Sequence, residues 1–227
     1  MAILALAAVV WVGVHVGVSG TQLRRPVAAA MGERAFRAVF AAFSVAALAF
    51  LIVAFIRAPV RVLWVAPSAL QYALAVVVLA AFLLFAGAVT VNNPTMVGND
   101  NPPPEAPRGM IRVTRHPMLW SIVLWAAAHL IGVGTEAGVL FFGALLATSA
   151  WGMPSIDGKL AARNPALWAV LAPRTSILPF GAILRGRNRL VPSEINWFGQ
   201  FVAVLVWATL LAHGHLWLFG VSPLRGP

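Results

Sequence analysis

Six separate stretches of this chain are apolar for long enough to cross a lipid bilayer, or nearly so, and nothing else in the sequence limits its fold as strongly. A helix needs about 20 mainly apolar residues to span the hydrocarbon core. Residues 1–19, 38–56, 68–91, 116–133, 137–151 and 197–219 meet or approach that length, the fifth being the shortest. Polar and proline-rich breaks separate them, among them Arg24-Arg25-Pro26 and Gly32-Glu33-Arg34 after the first stretch and Asn92-Asn93-Pro94 and Pro102-Pro103-Pro104 after the third. The pattern predicts an all-α, polytopic membrane helix bundle of about six transmembrane helices, forming one domain over residues 1–227.

Composition leaves little room for anything else. Of the 227 residues, 61% are hydrophobic and only 10% charged, whereas a soluble domain has roughly 45–50% and about 25%. A soluble enzyme, a disordered chain and a nucleic-acid-binding domain are excluded, although the net charge is +10. The charges instead report orientation. Thirteen of the sixteen Lys and Arg residues lie in the loops after the first, third and fifth stretches, leaving Arg57, Arg61 and Arg225 for the other side. Basic residues gather in cytoplasmic loops, so both termini are expected outside. The arginines follow the first stretch rather than precede it, so it reads as a retained helix and not as a secretory signal.

Residues 152–196 are too long and too apolar for a plain connection. Ile156, Leu160, Leu167, Trp168 and Leu171 are interspersed with Asp157, Lys159 and Arg163 and interrupted by Pro165. This pattern predicts a cytoplasmic interfacial helical segment between the last two spans. Within it, residues 175–184 (TSILPFGAIL) are expected to cover the bundle or dip into the membrane boundary.

The absence of cysteine excludes disulfides, thiolate metal sites, iron–sulfur clusters and c-type haem. No Asp or Glu falls in the middle of an expected span, and Glu136 is placed in a short outer turn. The remaining chemistry belongs to His15, His116, His129, His213 and His215. Ionisable groups inside a membrane are costly and usually face the bundle interior, where they serve as sites. Trp11, His15 and Ser19 share one helix face, and Pro117, Ser121, Trp125 and His129 share another at four-residue steps. Any one such histidine is ordinarily a neutral ring bonded across helices. Two of them, with no cysteine or carboxylate to compete, make bis-histidine b-type haem the sharpest cofactor expectation.

Depth complicates the pairing. At about 1.5 Å per residue, His15 and His129 differ in depth by roughly 10–15 Å. His213 matches His129 better, His15 lies nearer His116, and His215 reads as a boundary residue. Thr114-Arg115-His116-Pro117 forms a helix entrance, with Thr114 as a cap and Pro117 tolerated in the first turn. Arg115 and His116 are then expected at the cytoplasmic interface, as ordinary anchors or as a grip on an anionic group such as a haem propionate or a phosphate.

Residues 111–130, IRVTRHPMLWSIVLWAAAHL, resemble the signature stretch of the NnrU family of bacterial membrane proteins. His15, Gly32-Glu33-Arg34, residues 174–180 (RTSILPF) and the ending from His213 to Phe219-Gly220-Val221-Ser222-Pro223 fit the same resemblance, which covers essentially the whole chain. The resemblance implies a multi-pass protein of the bacterial inner membrane, surrounded by lipid. The family's name links it to nitrite and nitric oxide reductase expression, so a haem b protein of nitric oxide and denitrification metabolism, with NO as a small ligand, is the first functional expectation. The family also includes carotenoid isomerases that use haem b, which makes cis–trans isomerisation of an apolar polyene the alternative. A cofactor-free assembly partner is the third. By position the isomerase resemblance implies His15 and His129 as the iron ligands. Ala126 stands where those isomerases carry a cysteine tied to ligand switching, so a thiolate switch has no sulfur here.

Overall fold

In the computed structural model, residues 1–18, 24–96 and 107–224 are described. The expected features at Ser19, Pro102-Pro103-Pro104 and Arg225 lie outside them. The regular secondary structure of the described residues is helical, apart from one isolated bridge between Val62 and Thr135. Helix α1 (Ala2–Val12) runs into a π-helical segment, Gly13–Val18. A short α2 (Arg24–Met31) meets α3 (Glu33–Ile56) at Gly32, whose φ of 83° breaks the helix. Helices α4 (Ser68–Val89) and α5 (Pro117–Val133) follow, joined through a 3-10 turn at Gly109–Arg112. Then come α6 (Glu136–Arg163), α7 (Pro165–Arg174), α8 (Gly181–Leu184) and a 3-10 turn at Pro192–Glu194. The last helical run is α9 (Trp197–Thr209), a π-helical segment Leu210–Gly214, and α10 (His215–Phe219).

Four helical runs are long and apolar enough to cross a membrane: Glu33–Ile56, Ser68–Val89, Glu136–Arg163 and Trp197–Phe219; Ala2–Gly17 and Pro117–Val133 are shorter apolar helices. These six coincide with the six apolar stretches of the sequence. They pack as a row in which α9 lies on α4, α4 on α5, α5 on α6, α6 on α1 and α1 on α3. The main core joins α1, α3, α5 and α6 through Leu4, Leu51, Ala126, Phe141, Phe142 and Leu145, the small residues Ala7, Ala8 and Ala54 letting the helices approach. Trp207 fastens α9 to α4 by donating from Nε1 to the Ala75 carbonyl at 3.0 Å.

Three boundaries differ from the sequence expectation: Arg24-Arg25-Pro26, expected as a break, opens α2, α3 starts at Glu33 rather than residue 38, and α6 runs on past residue 151. The fifth span is expected to stop at residue 151, but α6, 28 residues long in all, continues through Pro154 to Arg163. Ser149, Met153, Asp157 and Leu160 recur at helical spacing and are all buried. Burial of that stripe offsets the backbone hydrogen bond that Pro154 removes. The interfacial segment therefore starts later, at Asn164, whose side chain accepts from Leu167 N–H and caps α7. Leu160, Leu167 and Leu171 pack with Ile111 in a second, smaller core at this end.

The opposite end is closed by the loop before α4. Leu63 and Trp64 N–H donate to the Gly134 carbonyl, and Glu136 N–H to the Arg61 carbonyl. Gly134 ends α5 with φ 60°, and a Cβ there would strike the Trp64 carbonyl, so only glycine fits this close approach.

Candidate functional site

At the α7 end, the expected anion grip is already filled by the chain itself. Pro117 occupies the first turn of α5 and His116 its N-cap; Thr114, expected as the cap, instead donates to the Ile177 carbonyl at 2.6 Å. Its hydroxyl also accepts from His116 N–H at 3.3 Å. Arg115 and His116 both turn onto Asp157 of α6. Arg115 donates from Nε to Oδ1 and Oδ2 at 2.9 and 2.8 Å and from Nη2 to Oδ2 at 2.6 Å, while His116 Nε2 donates to Oδ1 at 2.8 Å. The His116 side chain is fully buried and the Arg115 guanidinium lies 5.3 Å from the centre of the Trp168 ring. The Asp157 carboxylate thus already takes up the charge that Arg115 would offer a propionate or phosphate, while His116 Nδ1 stays buried without a partner. The residues 175–184 cover this end, with Trp120 Nε1 donating to the Ile177 carbonyl at 2.8 Å and Phe180 N–H to the Val113 carbonyl at 2.7 Å.

A second polar knot ties the chain before α9 to the 3-10 turn before α5. Glu194 accepts from Arg112 at 2.6 and 2.7 Å and from Gly109 N–H at 2.9 Å. The Arg112 hydrogen bonds and the Gly109 N–H hold the Glu194 carboxyl down at about 2, against a smaller opposing effect of desolvation, and Glu194 in turn raises the Arg112 pKa further.

The membrane histidines repeat one device. His15 Nδ1–H donates to the Trp11 carbonyl at 2.9 Å, and His129 Nδ1–H to the Trp125 carbonyl at 2.8 Å, each one turn back along its helix. Since a carbonyl only accepts, this fixes the tautomer and leaves Nε2 with its lone pair. Each ring rests on the same tryptophan, at 3.9 Å for Trp11 and 4.6 Å for Trp125. Trp11 is itself held by Thr148, which accepts from its Nε1 at 3.0 Å.

These two histidines are not brought together. His15 lies 5.7 Å from Phe40, whereas His129 lies 5.1 Å from Phe142, which contacts Phe55 at 5.8 Å. Phe40 and Phe55 both belong to α3, so at 1.5 Å per residue the two levels are about 22 Å apart. The ring nearest in depth to His129 is neither His15 nor His213 but His215, with centroids 6.3 Å apart and planes at 24°. His213 is exposed. Two residues along a helix is about 200° around it, so His213 and His215 face opposite ways. His215 Nδ1–H also donates to a carbonyl, that of Val221 at 2.8 Å.

Sequence reasoning thus missed Asp157, Glu194 and His215. A signal existed for two of them. Asp157 continues the spacing of Ser149 and Met153, and His215 continues Ala203, Trp207 and Leu211 on the less exposed side of the last helix. Glu194 lies in a polar turn with no periodicity to mark it.

A family model described as NnrU protein matches residues 3–223. The chloroplastic 15-cis-zeta-carotene isomerase of Zea mays is 35% identical over 82 residues, 36% of this chain and 22% of the maize protein. The enzyme of the same name from Arabidopsis thaliana is 31% identical over 94 residues, 41% of this chain and 25% of the plant protein. The matched stretch is therefore a quarter or less of these relatives' length. No solved structure matches.

Proposed function

Because this chain belongs to the NnrU family, a family of membrane proteins, we propose that it is a cis–trans isomerase acting on a long conjugated polyene inside the bilayer, of the kind its plant relatives are named for. The observation that carries the proposal is His129. Its Nε2 is left unprotonated beside Trp125 and Phe142, within an apolar bundle that also presents Phe55 and Phe141. A rod-like hydrocarbon with no polar handle is recognised by such a surface through burial and ring contact. Isomerisation leaves the substrate's atoms and redox level unchanged, so the site needs only to lower the barrier to rotation about one double bond. Neither a proton relay nor a water-activating acid is required, in keeping with a bundle whose one buried carboxylate in α6, Asp157, is tied up by Arg115 and His116.

Haem b is the proposed cofactor. The donor set fits it: each membrane imidazole with Nδ1–H engaged by a carbonyl offers Nε2, the arrangement that orients metal-ligating histidines generally. When bound, ferrous haem supplies electron density to a conjugated system. The chain's part is to hold ligand rings in one tautomer, to exclude water, and to keep the polyene against Trp125 and Phe142. The nitric oxide expectation rests on the family's name, and no contact of the described residues favours it over the polyene. The gathering of arginines at the α7 end supports a cytoplasm-facing orientation of that end.

Co-expression with enzymes that make a 15-cis polyene tests the proposal. The wild-type chain is expected to shift the cis/trans ratio, read by chromatography, and His129→Ala to abolish the shift. Unchanged ratios with wild-type protein present in the membrane would overturn it.

A further inference from the structure

We propose that residues 174–190, the segment capping the α7 end, dock on the anionic lipid of the adjoining leaflet: Leu178, Phe180 and Leu184 enter the membrane boundary, and Arg185 and Arg189 hold phospholipid headgroups beside them. The inference is independent of the polyene and haem readings above.

The segment is rigidly built. Its inner side is pinned to the start of α5: Arg115 N–H donates to the Ser176 carbonyl at 3.1 Å, Phe180 N–H to the Val113 carbonyl at 2.7 Å and Trp120 Nε1 to the Ile177 carbonyl at 2.8 Å. Ser176 Oγ accepts from Ala182 N–H at 2.9 Å, and Arg187 Nη1 donates to the Pro173 carbonyl at 2.7 Å, closing the loop on itself. Thr175 and Ala182 are buried beneath it, yet Leu184 is 84%, Leu178 63% and Phe180 46% exposed. Large apolar side chains held outward on a fixed backbone mark a contact with a membrane or another protein. Phe180 adds a second sign, being the one described non-glycine residue with positive φ, 61°. Glycine would take that conformation without strain, so a phenylalanine there brings an aromatic ring to the surface at a cost to the fold. Such outliers gather at functional sites.

Depth selects lipid as the occupant. Residues 176–180 run beside residues 113–115 and the first turn of α5, close in depth to Asp157, which Arg115 and His116 hold. Helix α6 continues six residues past Asp157 to Arg163, about 9 Å farther from the membrane centre. The cap is thus set back from the tip of the bundle, at the level where the apolar part of α5 begins. Trp197, exposed at the start of the last span, stands at this end too, as tryptophans do at the headgroup level. Charge selects the kind of lipid. Residues 174–190 hold four arginines and no acid. Arg174, Arg185 and Arg189 are exposed and enter no ion pair among the described residues. The carboxylates described at this end, Glu33, Asp157 and Glu194, are held by Arg37, Arg115 and Arg112. Cations beside inserted apolar side chains are how interfacial segments bind anionic lipid.

The test uses the full chain in nanodiscs of phosphatidylcholine, alone or mixed with phosphatidylglycerol. Because the sequence has no cysteine, a nitroxide on Leu184→Cys or Leu178→Cys reports a single site. Each label is expected to be open to oxygen and shielded from a water-soluble nickel complex, whereas a label on Ala162→Cys, exposed near the end of α6, is open to both. Spin-labelled phosphatidylglycerol is expected to bind the wild type about fivefold more strongly than phosphatidylcholine. Arg185→Gln combined with Arg189→Gln is expected to lower that ratio severalfold at an unchanged melting temperature. Labels at 178 and 184 as open to nickel as the label at 162 overturn the insertion. A lipid ratio unmoved by the arginine variant overturns the anionic-lipid contact, and dipolar broadening between labels at 184 overturns it in favour of a second copy of the chain on this face.

Discussion

Arg115 and Asp157, 42 residues apart in the chain, meet through both oxygens of the carboxylate, with Nη2 and Oδ2 at 2.6 Å, and their side chains are only 12% and 11% exposed. The contact locks the entrance of α5 to the far half of α6, and His116 joins it from the same entrance. Removing one partner of a buried ion pair leaves an uncompensated charge, at a cost of about 3–5 kcal/mol. Asp157→Ala is therefore expected to lower the melting temperature in detergent steeply. Arg115→Met combined with Asp157→Leu is expected to recover part of the loss, since the Arg115 and Asp157 charges then go together and the His116 ring N–H is what loses its partner. Equal losses in the single and double variants would refute this account of the end.

Acid should loosen a different contact. Glu194 titrates at about 2 in the folded chain, below its ordinary value of 4.5, because Arg112 and the Gly109 N–H favour its charged form. A depressed carboxylate stabilises the fold fully above about 4.5 and loses that contribution as pH falls toward about 2. Melting temperatures measured between pH 6 and pH 3 should fall for the wild type at the acid end. Glu194→Gln is expected to start lower and to show a flatter acid limb; an identical limb would contradict the assignment.

Much of this architecture is legible in the residues alone, and the failures have physical causes. The apolar stretches mark every long helix because lipid forces each span to satisfy its own backbone. The Trp-x-x-x-His repeats at Trp11 and Trp125 are equally visible, since residues one turn apart share a face. The end of α6 is not visible, because Gly152 and Pro154 read as a break until the buried stripe ending in Asp157 and Leu160 is seen to carry the helix on. The spacing of His215 with Ala203, Trp207 and Leu211 marks a helix face, but the sequence does not reveal which ring that face meets. That depends on the order of helices in space and on a π turn at Leu210–Gly214, neither of which hydropathy encodes. The depth difference between His15 and His129 is legible in the sequence, and the structure keeps the two rings at different levels.

Gly134 and Gly220 both adopt positive φ, 60° and 72°, yet their substitution should differ. An L-residue in that region costs roughly 1–2 kcal/mol. At Gly220 nothing lies within 4 Å of an added Cβ, whereas at Gly134 the Trp64 carbonyl blocks it. Gly134→Ala is expected to lower the melting temperature well beyond Gly220→Ala. Equal shifts would mean that the loop carrying Trp64 yields freely and does not clamp the α5–α6 turn.

The central claim, that a histidine-bearing apolar bundle isomerises a polyene, is tested most directly with the purified full chain in lipid nanodiscs, supplied with haem, a chemical reductant and a 15-cis polyene in the dark. The account predicts conversion toward the trans isomer that requires both the reductant and His129. Conversion no faster than in empty nanodiscs, or equally fast with His129→Ala, would contradict it.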